Sequence, residues 1–399
     1  MINVALVFVC QAFHSLTFIG LALFLPLIRE DLQISYTQAG VLSVAATLSY
    51  TLGQIPAGFL ADRFGPRRLF CIGLMGWSIL SLALGLIHGY WLAVLTLFVA
   101  GAFRAMLFAP GLALLASWYP REHGAMSMSL YMLGAYTGNI LLALAGPAIA
   151  AVLGWRSAMI LFATAGVAAA MAFYTLGSDK PRKAGARPFA LSEALHLMQD
   201  KVLWLCSAIQ VVRFSAVTGF VFWLPSMLVA ERGFSLQFAG WVVAMSALLS
   251  ALANPLGGYL SDRLRSPALI IGVSLAGLAL ACAMVVWVES VTALIMVIAC
   301  GSIFVQIYFG PLYYIPVELV GPRAAGTVIG FSNLFANAGG LATAYALGAV
   351  KDMTGSFTPG FLGISVLCLI GALLTVALAR MRHRLLAARP PADGQLMVA

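Results

Sequence analysis

The sequence is 399 residues long, 62% hydrophobic and only 9% charged, and its mean hydropathy is +1.00. Soluble domains carry roughly 25% charged residues, so this composition excludes a soluble globular protein and indicates an integral membrane protein. The formal net charge of +9 does not indicate a nucleic-acid partner, because the positions of the basic residues are explained by membrane orientation.

Apolar stretches of about 20 residues or more recur from the first residues to Arg380. They indicate transmembrane helices and not the short alternating strands of a barrel. Their predicted bounds are 2–28, 35–60, 69–88, 90–118, 124–152, 155–176, 201–230, 235–260, 268–288, 290–318, 325–350 and 358–380. The predicted fold class is all-α integral membrane, with twelve transmembrane helices in contact with the lipid bilayer.

The first span carries two polar residues, Gln11 and His14, which lie on one helix face because they are three positions apart. His14 is about 13 residues into the span and therefore near the middle of the bilayer. The N-terminus has no basic region, so we predict a retained helix and not a cleaved signal peptide.

The loop after the second span reads GFLADRFGPRR, and a degenerate copy, GYLSDRLR, follows the eighth span. The second copy has Arg265 where the first has a glycine. Positive charges that orient the chain would explain the arginines, but not the aspartates at the helix ends. The candidate gate residues in these loops are Gly58, Asp62, Arg63, Gly65, Arg67, Arg68, Asp262 and Arg263.

The fourth span, from Tyr90 to Trp118, contains one formal charge, Arg104. An arginine at the centre of a membrane helix costs roughly 2.5 to 3.5 kcal/mol on insertion scales. Arg104 therefore needs an anionic partner or a water-filled cavity.

The longest polar segment, residues 178–200, has six predicted spans on each side. It begins as a basic Pro/Gly loop and continues as ALSEALHLMQ, a candidate for a short amphipathic helix at the membrane surface. The predicted organisation is an N-terminal bundle over 1–176, a cytoplasmic linker over 177–200, a C-terminal bundle over 201–380 and a cytoplasmic tail over 381–399.

The two halves resemble each other at an offset of 199 to 201 residues. QAFHSLTFIGLALFLP, from Gln11, aligns without gaps with QVVRFSAVTGFVFWLP, from Gln210, and His14 falls opposite Arg213. Further matches stay in order, including the two Asp-Arg loops and Pro110 with Pro311. The halves are therefore predicted to be copies of one six-helix unit.

These features resemble the major facilitator superfamily, whose loop signature is a glycine, three residues, Asp-Arg, then a glycine and a basic pair. The resemblance covers nearly the whole chain. It implies two pseudo-symmetric six-helix bundles around a midplane site that opens alternately to each side. It also implies a monomer, in which Asp62 pairs with a helix terminus or an arginine of the other bundle and latches the cytoplasmic gate. Basic residues in the first, fourth and seventh spans resemble the organic-anion branches of the superfamily.

The seventh span contains a second buried charge, Arg213. Arg104 lies roughly 21 Å from the outer end of its span and Arg213 roughly 18 Å from its inner end, and a bilayer is about 40 Å thick, so both lie at one depth. All 13 acidic residues fall in predicted loops, tails or helix ends. The predicted partner of the two arginines is a small anionic substrate, most simply a carboxylate held by the guanidinium fork.

The candidate substrate-binding residues are three basic and five neutral polar groups: Arg104, Arg213, His14, Gln11, Gln210, Tyr308, Asn333 and Asn337. Each glutamine shares a helix face with the basic residue that follows it. Helix packing and interhelical hydrogen bonds would also explain the tyrosine and the asparagines. The arginines could instead bond to carbonyls at helix breaks, and the histidine could be a satisfied polar group of the bundle.

Lysine and arginine are distributed unevenly between the predicted loops. If the N-terminus is cytoplasmic, 16 of the 22 fall on the cytoplasmic side and four on the other: Arg29, Arg156, Arg232 and Lys351. This bias predicts that both termini are cytoplasmic. Arginine outnumbers lysine 18 to 4, which is typical of a GC-rich bacterial genome, so the expected location is a bacterial inner membrane.

Proton coupling would require a group that titrates near neutral pH, which arginine does not. His14 is the buried candidate, because the other four histidines lie in loops or surface segments. Protons are partners if His14 titrates with substrate binding, and otherwise anion exchange or uniport is expected. We expect no metal or other cofactor, since the six cysteines fall in apolar spans without metal-ligand spacing.

Two alternatives to an anion transporter are a multidrug exporter and a sensor built on a transporter scaffold. Exporters of this superfamily carry a fifth-span motif that ends Gly-Pro, two residues, Gly-Gly, whereas here Gly146-Pro147 is followed by Ala150-Ala151. A sensor is expected to carry a large soluble extension, and the tail after residue 380 is short. An enzyme is not expected, because the sequence shows no nucleophile, acid or metal constellation at membrane depth.

Overall fold

The computed structural model describes residues 2–34, 36–119, 123–178 and 190–387, and the regular elements in these ranges are all helical. The α-helices are α1 (Ile2–Leu23), α2 (Leu25–Asp31), α3 (Tyr36–Phe64), α4 (Pro66–Leu86), α5 (Tyr90–Trp118), α6 (Gly124–Leu176), α7 (Leu191–Leu197), α8 (Lys201–Val217), α9 (Leu224–Ala230), α10 (Leu236–Leu264), α11 (Pro267–Trp287), α12 (Val291–Ile307), α13 (Phe309–Val320), α14 (Ala325–Thr354) and α15 (Thr358–Ala387). A π-helical turn over Thr218–Trp223 joins α8 to α9, and a 3-10 turn over Pro322–Ala324 precedes α14.

Each predicted span corresponds to helical structure at the same place in the chain. The first span consists of α1 and α2, the seventh of α8, the π turn and α9, and the tenth of α12 and α13. The fifth and sixth spans are the two arms of α6, which is interrupted at Gly154 with φ 79° and ψ 158°. The predicted all-α membrane class is confirmed, although α15 continues to Ala387, beyond the expected end at residue 380.

Nine segments of the described part are long and apolar enough to cross a membrane. The spans that do not reach this criterion are α3, the first arm of α6 and α14, which are rich in glycine and in polar side chains. These helices lie where the two halves meet, because α3 packs on α14 and α6 packs on α10. Polar side chains such as Gln54 and Asn333 are therefore covered by protein and do not face lipid.

Each half has its own apolar core. Leu42 and Phe162 belong to the core of the first half, and Leu275 and Phe361 belong to that of the second. The helix pairs also correspond: α1 packs on α6 as α8 packs on α14, and α3 packs on α5 as α10 packs on α12. The helices on the two sides of the site therefore pack in the same arrangement.

The repeat extends to the irregular positions of the helices. α1 ends before Phe24, with φ −91° and ψ 1°, and the equivalent Trp223, 199 positions later, has φ −89° and ψ −18°. The bounds of α4 and α11 differ by 201 at both ends. The two bundles are pseudo-symmetric, as the sequence predicts.

The predicted amphipathic segment between the halves forms α7. Its Ala194 is buried against Leu203 of α8 and against Val328 and Phe331 of α14. Residues 179–189 of the predicted linker and 388–399 of the predicted tail lie outside the described residues. The short helix therefore packs on the second half.

Candidate functional site

A cavity of about 230 Å³ lies between the two halves. Its walls come from α1, α3, α5 and α6 of the first half and from α8, α12, α13 and α14 of the second. The structure brings six predicted site residues together in these walls: Gln11, His14, Arg104, Arg213, Asn333 and Asn337. None of the described residues that line the cavity is an aspartate or a glutamate.

Arg104 lies between two aromatic rings. The carbon of its guanidinium is 3.5 Å from the centre of the Phe18 ring and 4.0 Å from that of Tyr50. Its Nε has no hydrogen-bond partner among the described residues. The rings stabilise the cation through its flat faces, so the N–H groups remain free to bind an acid group in the guanidinium plane.

Arg213 is more deeply buried, with only 4% of its surface exposed. Its Nε donates a hydrogen bond of 2.8 Å to Oε1 of Gln210, one turn earlier on α8. The guanidinium carbon is 5.4 Å from the Phe309 ring and 5.8 Å from the Tyr313 ring. Gln210 and the side chain of Tyr313, which also hydrogen-bonds to Arg213, therefore orient the guanidinium, and its remaining N–H groups are left for a ligand.

The ion pairs within the described part of the chain lie at helix ends and loops. They are Arg156–Asp31, Arg323–Glu193, Lys351–Glu231 and Arg382–Glu318. Neither cavity arginine takes part in one. The cavity thus presents two uncompensated positive charges, one from each half.

His14 is 7% exposed and lies beside Arg104 in the cavity wall. Its ring stacks on Phe18 with centroids 6.2 Å apart and meets Trp77 edge to face at 5.5 Å. Neither ring nitrogen has a hydrogen-bond partner among the described residues. His14 is therefore a buried polar group without a hydrogen-bond partner in the described part of the chain.

A hydrogen-bond network that involves α3, α13 and α14 connects the two halves beside the cavity. The Asn333 amide donates to the Tyr50 hydroxyl at 3.1 Å and to Gln54 Oε1 at 2.8 Å. Its oxygen accepts a bond of 3.0 Å from the hydroxyl of Tyr313. Because Tyr50 contacts Arg104 and Tyr313 lies beside Arg213, Asn333 links the surroundings of both cations.

Two of the predicted site residues do not line the cavity. Gln210 acts through Arg213, as described above. Tyr308 is fully buried in the core of the second half, at the junction of α12 and α13, and its hydroxyl has no partner among the described residues. Its sequence position in the tenth span does not predict whether the side chain faces the cavity or the core.

Several cavity residues escaped the sequence analysis, including Phe18, Tyr50 and Asn139. Phe18 could have been found, because it is four positions after His14 and so shares its helix face. Asn139 accepts a bond of 2.6 Å from the Ser15 hydroxyl, across α1 and α6. Tyr50 carries no local signal, since an aromatic residue in an apolar span is as often packed against lipid.

The two loop aspartates bind helix N-termini of the opposite half. Asp62 accepts bonds from the backbone N–H groups of Gly326 at 2.8 Å and Thr327 at 2.6 Å, in the first turn of α14. Asp262 accepts equivalent bonds from Ala125 at 3.2 Å and Met126 at 2.9 Å, in the first turn of α6. Both carboxylates meet the positive ends of helix dipoles and join the two halves at this end of the molecule, called here the Asp62 end.

The glycines of the loop signature allow close packing and a tight turn at the Asp62 end. A Cβ on Gly58 would lie 2.2 Å from the Gly326 carbonyl oxygen, so α3 and α14 touch through their backbones. Gly65 joins α3 to α4 with φ 101°, and its counterpart Arg265 adopts the left-handed region with φ 51°. The second copy therefore forms its turn without a glycine. Arg265 adopts a left-handed backbone conformation that glycine adopts more readily.

The basic residues of the signature surround these turns. Arg67 donates to the Tyr174 carbonyl at 2.6 Å, and Arg263 donates to the Tyr259 hydroxyl at 2.9 Å. Arg63 and Arg68 are exposed. None of these four lines the cavity; all lie near the two turns at the Asp62 end.

The chain matches the Major Facilitator Superfamily over residues 7–340, with a second match over residues 227–396. It belongs to the major facilitator superfamily. This superfamily consists of membrane transporters and not of enzymes, and the chain is therefore a multi-pass membrane protein.

Relatives of known description cover most of the chain. A probable sulfoacetate transporter of Cupriavidus necator is 22% identical over 377 residues, which are 88% of this chain and 87% of the relative. A hexuronate transporter of Bacillus subtilis is 23% identical over 90% of each chain. The crystal structure of the E. coli fucose:proton symporter matches with a TM-score of 0.79 at 17% identity, over 96% of this chain and 98% of that one. The symporter shares the fold.

Proposed function

We propose that this protein is a secondary active transporter that moves a small organic anion, with a carboxylate or related acid group, by alternating access. The observation that carries the proposal is the placement of Arg104 and Arg213, from opposite halves, on one cavity without a carboxylate among its described lining residues. The relatives named for sulfoacetate and hexuronate support an acidic substrate.

The two arginines suit different parts of an anion. The rings of Phe18 and Tyr50 cover the faces of Arg104, so an acid group approaches in the guanidinium plane and accepts two parallel hydrogen bonds. Arg213, whose Nε is occupied by Gln210, donates from its terminal nitrogens. A ligand that bridges both draws the two halves together.

Alternating access follows from the two aspartate contacts. With both formed, the cavity is closed at the Asp62 end, and their release would open it to that side. We place this end and both termini on the cytoplasmic side of a bacterial inner membrane, because the basic loops flank it. The transporter is expected to work as a monomer, by proton symport if His14 titrates and by anion exchange otherwise.

Uptake into liposomes tests the proposal. Purified protein is reconstituted and offered a panel of radiolabelled carboxylates, sulfonates and sugar acids, with and without a pH gradient. We expect saturable uptake of at least one acid and none of the matching neutral sugars. Uptake of the neutral sugars without uptake of any acid would contradict the proposal.

Arg104→Lys and Arg213→Lys test the binding residues. Lysine keeps the charge but loses the planar fork, so we expect each change to weaken binding roughly 10- to 100-fold, as expected for hydrogen bonds to charged groups. Isothermal titration of the acid found in the uptake assay measures this effect. Arg384→Lys, at an exposed position of α15, is the matched control and should bind normally; normal binding by both cavity variants would exclude the site.

A further inference from the structure

A second and larger cavity lies on the lipid-facing surface of the first half, between α4, α5 and the second arm of α6. Its volume is about 1010 Å³. Ile72, Ile79 and Met171 form part of its walls and are each about half exposed. Exposed apolar side chains on membrane-spanning helices face the lipid, so the cavity is a groove open to the hydrocarbon of the bilayer.

Two arginines stand at the mouth of this groove, in the first turn of α4. Arg67 is fixed across the mouth by its 2.6 Å bond from Nη2 to the Tyr174 carbonyl, and its Nε has no partner among the described residues. Arg68 is exposed beside it. Because these residues begin a membrane-spanning helix, their guanidinium groups lie at the level of the lipid headgroups.

The pseudo-symmetry supplies an internal comparison. A groove of about 530 Å³ occupies the equivalent place between α11 and α15 of the second half. There, Ala268 and Leu269 stand at the positions of Arg67 and Arg68, 201 residues later. The repeated fold therefore accounts for an apolar groove in each half, but it does not account for the two cations at one of them.

We propose that the groove between α4 and α6 binds an anionic phospholipid from the leaflet at the Asp62 end. The phosphate of the headgroup lies against Arg67 and Arg68, and an acyl chain lies along Ile72, Ile79 and Met171. Basic groups beside apolar clefts between membrane helices are suited to acidic headgroups. A soluble anion could contact only the two arginines, whereas a phospholipid contacts both the arginines and the apolar walls of the groove.

Native mass spectrometry of the purified protein tests this site. The protein is released from micelles that contain equal amounts of phosphatidylglycerol and phosphatidylcholine, and the retained lipid is counted. We expect one phosphatidylglycerol in preference to phosphatidylcholine. Each basic residue near a membrane surface raises the affinity for an acidic lipid about fivefold, so Arg67→Gln with Arg68→Gln should weaken retention roughly 25-fold.

The control variant is Arg380→Gln with Arg384→Gln, which removes the same charge from exposed positions on α15 and should retain the lipid. A reciprocal variant, Ala268→Arg with Leu269→Arg, should gain a second phosphatidylglycerol, and it decides the matter if the first variant does not fold. Equal retention of both lipids by the unmodified protein, unchanged retention by the first variant, or no gain by the reciprocal variant would overturn the proposal.

Discussion

At the scale of single residues, Arg104 is held in the membrane by two aromatic rings. Desolvated cation–π contacts are worth about 2 kcal/mol each, and the cost of an arginine at the centre of a span is roughly 2.5 to 3.5 kcal/mol. Phe18 and Tyr50 together are thus sufficient to offset that cost. The sequence predicts that Arg104 needs an anion or water, and the structure adds this third means of support, which allows the site to exist between transport events.

Tyr50 has two roles that substitutions can separate. Tyr50→Leu removes the ring from Arg104, so the guanidinium loses about 2 kcal/mol of support and its fixed plane, and we expect the substrate Kd to rise roughly 30-fold. Tyr50→Phe keeps the ring and loses only the bond from Asn333, worth about 1 kcal/mol, so a change of less than about fivefold is expected. Titration of the transported acid compares them; equal effects of the two variants would disprove the ring's role.

His14 determines the mode of transport in our proposal. His14→Gln keeps a polar side chain but removes the titratable group, so uptake driven by a pH gradient should be lost. Exchange of internal for external acid needs no proton and should continue at a rate within about threefold of the unmodified protein, since the arginines are unchanged. Both assays use the same liposomes. Gradient-driven accumulation by the variant would show that the proton is carried elsewhere.

The residues that the sequence could identify are those whose chemistry is out of place in an apolar helix. Arg104, Arg213 and His14 stand out because burying them is costly. Tyr50 and Tyr313 do not, because a tyrosine is common in any membrane helix, and their role depends on Asn333, which is 283 positions from Tyr50 and 20 from Tyr313. A contact between residues far apart in the chain leaves no trace in local spacing.

At the scale of helices, glycine decides how closely α3 and α14 approach. Gly58→Ala would place a Cβ 2.2 Å from the Gly326 oxygen, so the helices must separate. We expect the closed state at the Asp62 end to be disfavoured by roughly 1 to 3 kcal/mol, the usual cost of overpacking. A cysteine introduced at Ala135, in the cavity wall, should then react faster with a thiol reagent added from that end.

Gly363→Ala is the matched control for this measurement. A Cβ on Gly363, in α15, meets no atom within 4 Å, so the labelling rate should stay unchanged. An unaltered rate in Gly58→Ala as well would mean that close contact between α3 and α14 does not limit opening.

The helices with the weakest hydropathy signal are those that line the cavity and join the two halves. α11 is almost uniformly apolar and its bounds were predicted within one residue at each end. α3 and α14 are more polar because they pack on each other and line the cavity. The breaks at Phe24 and Tyr308 come shortly before Pro26 and Pro311, each of which lacks the N–H that would continue the helix. Prolines inside α3, α5 and α10 leave those helices continuous, so a proline alone does not predict a break.

At the scale of the whole molecule, the two aspartate contacts act as a pair. A carboxylate at a helix N-terminus contributes up to about 1 kcal/mol at an exposed site and about 2 kcal/mol when partly buried. Asp62→Asn and Asp262→Asn should each shift the balance toward the state open at this end by roughly fivefold or more. The hydrogen bonds described for the two aspartates have no residue in common, so the double variant should shift the balance by about the product of the single effects.

Pulsed electron paramagnetic resonance checks this prediction, with spin labels at the ends of α3 and α14 that lie at the Asp62 end. A long distance should gain population in each single variant and dominate in the double variant. Populations identical to those of the unmodified protein would show that other contacts keep the end closed. The closed state itself could not be read from the sequence, because one sequence encodes both states.

The hydrogen bonds that join these aspartates to helices of the opposite half are donated by main-chain amides. Every amino acid except proline supplies such an amide, so Thr327, Ala125 and Met126 can vary without a compensating change at the acid that holds them. Covariation between distant positions can reveal pairs of contacting side chains. It would therefore not reveal these contacts, because one partner is a backbone amide. Proline at any of these three positions is the one replacement that would remove a backbone N–H donor and break that hydrogen bond to the aspartate.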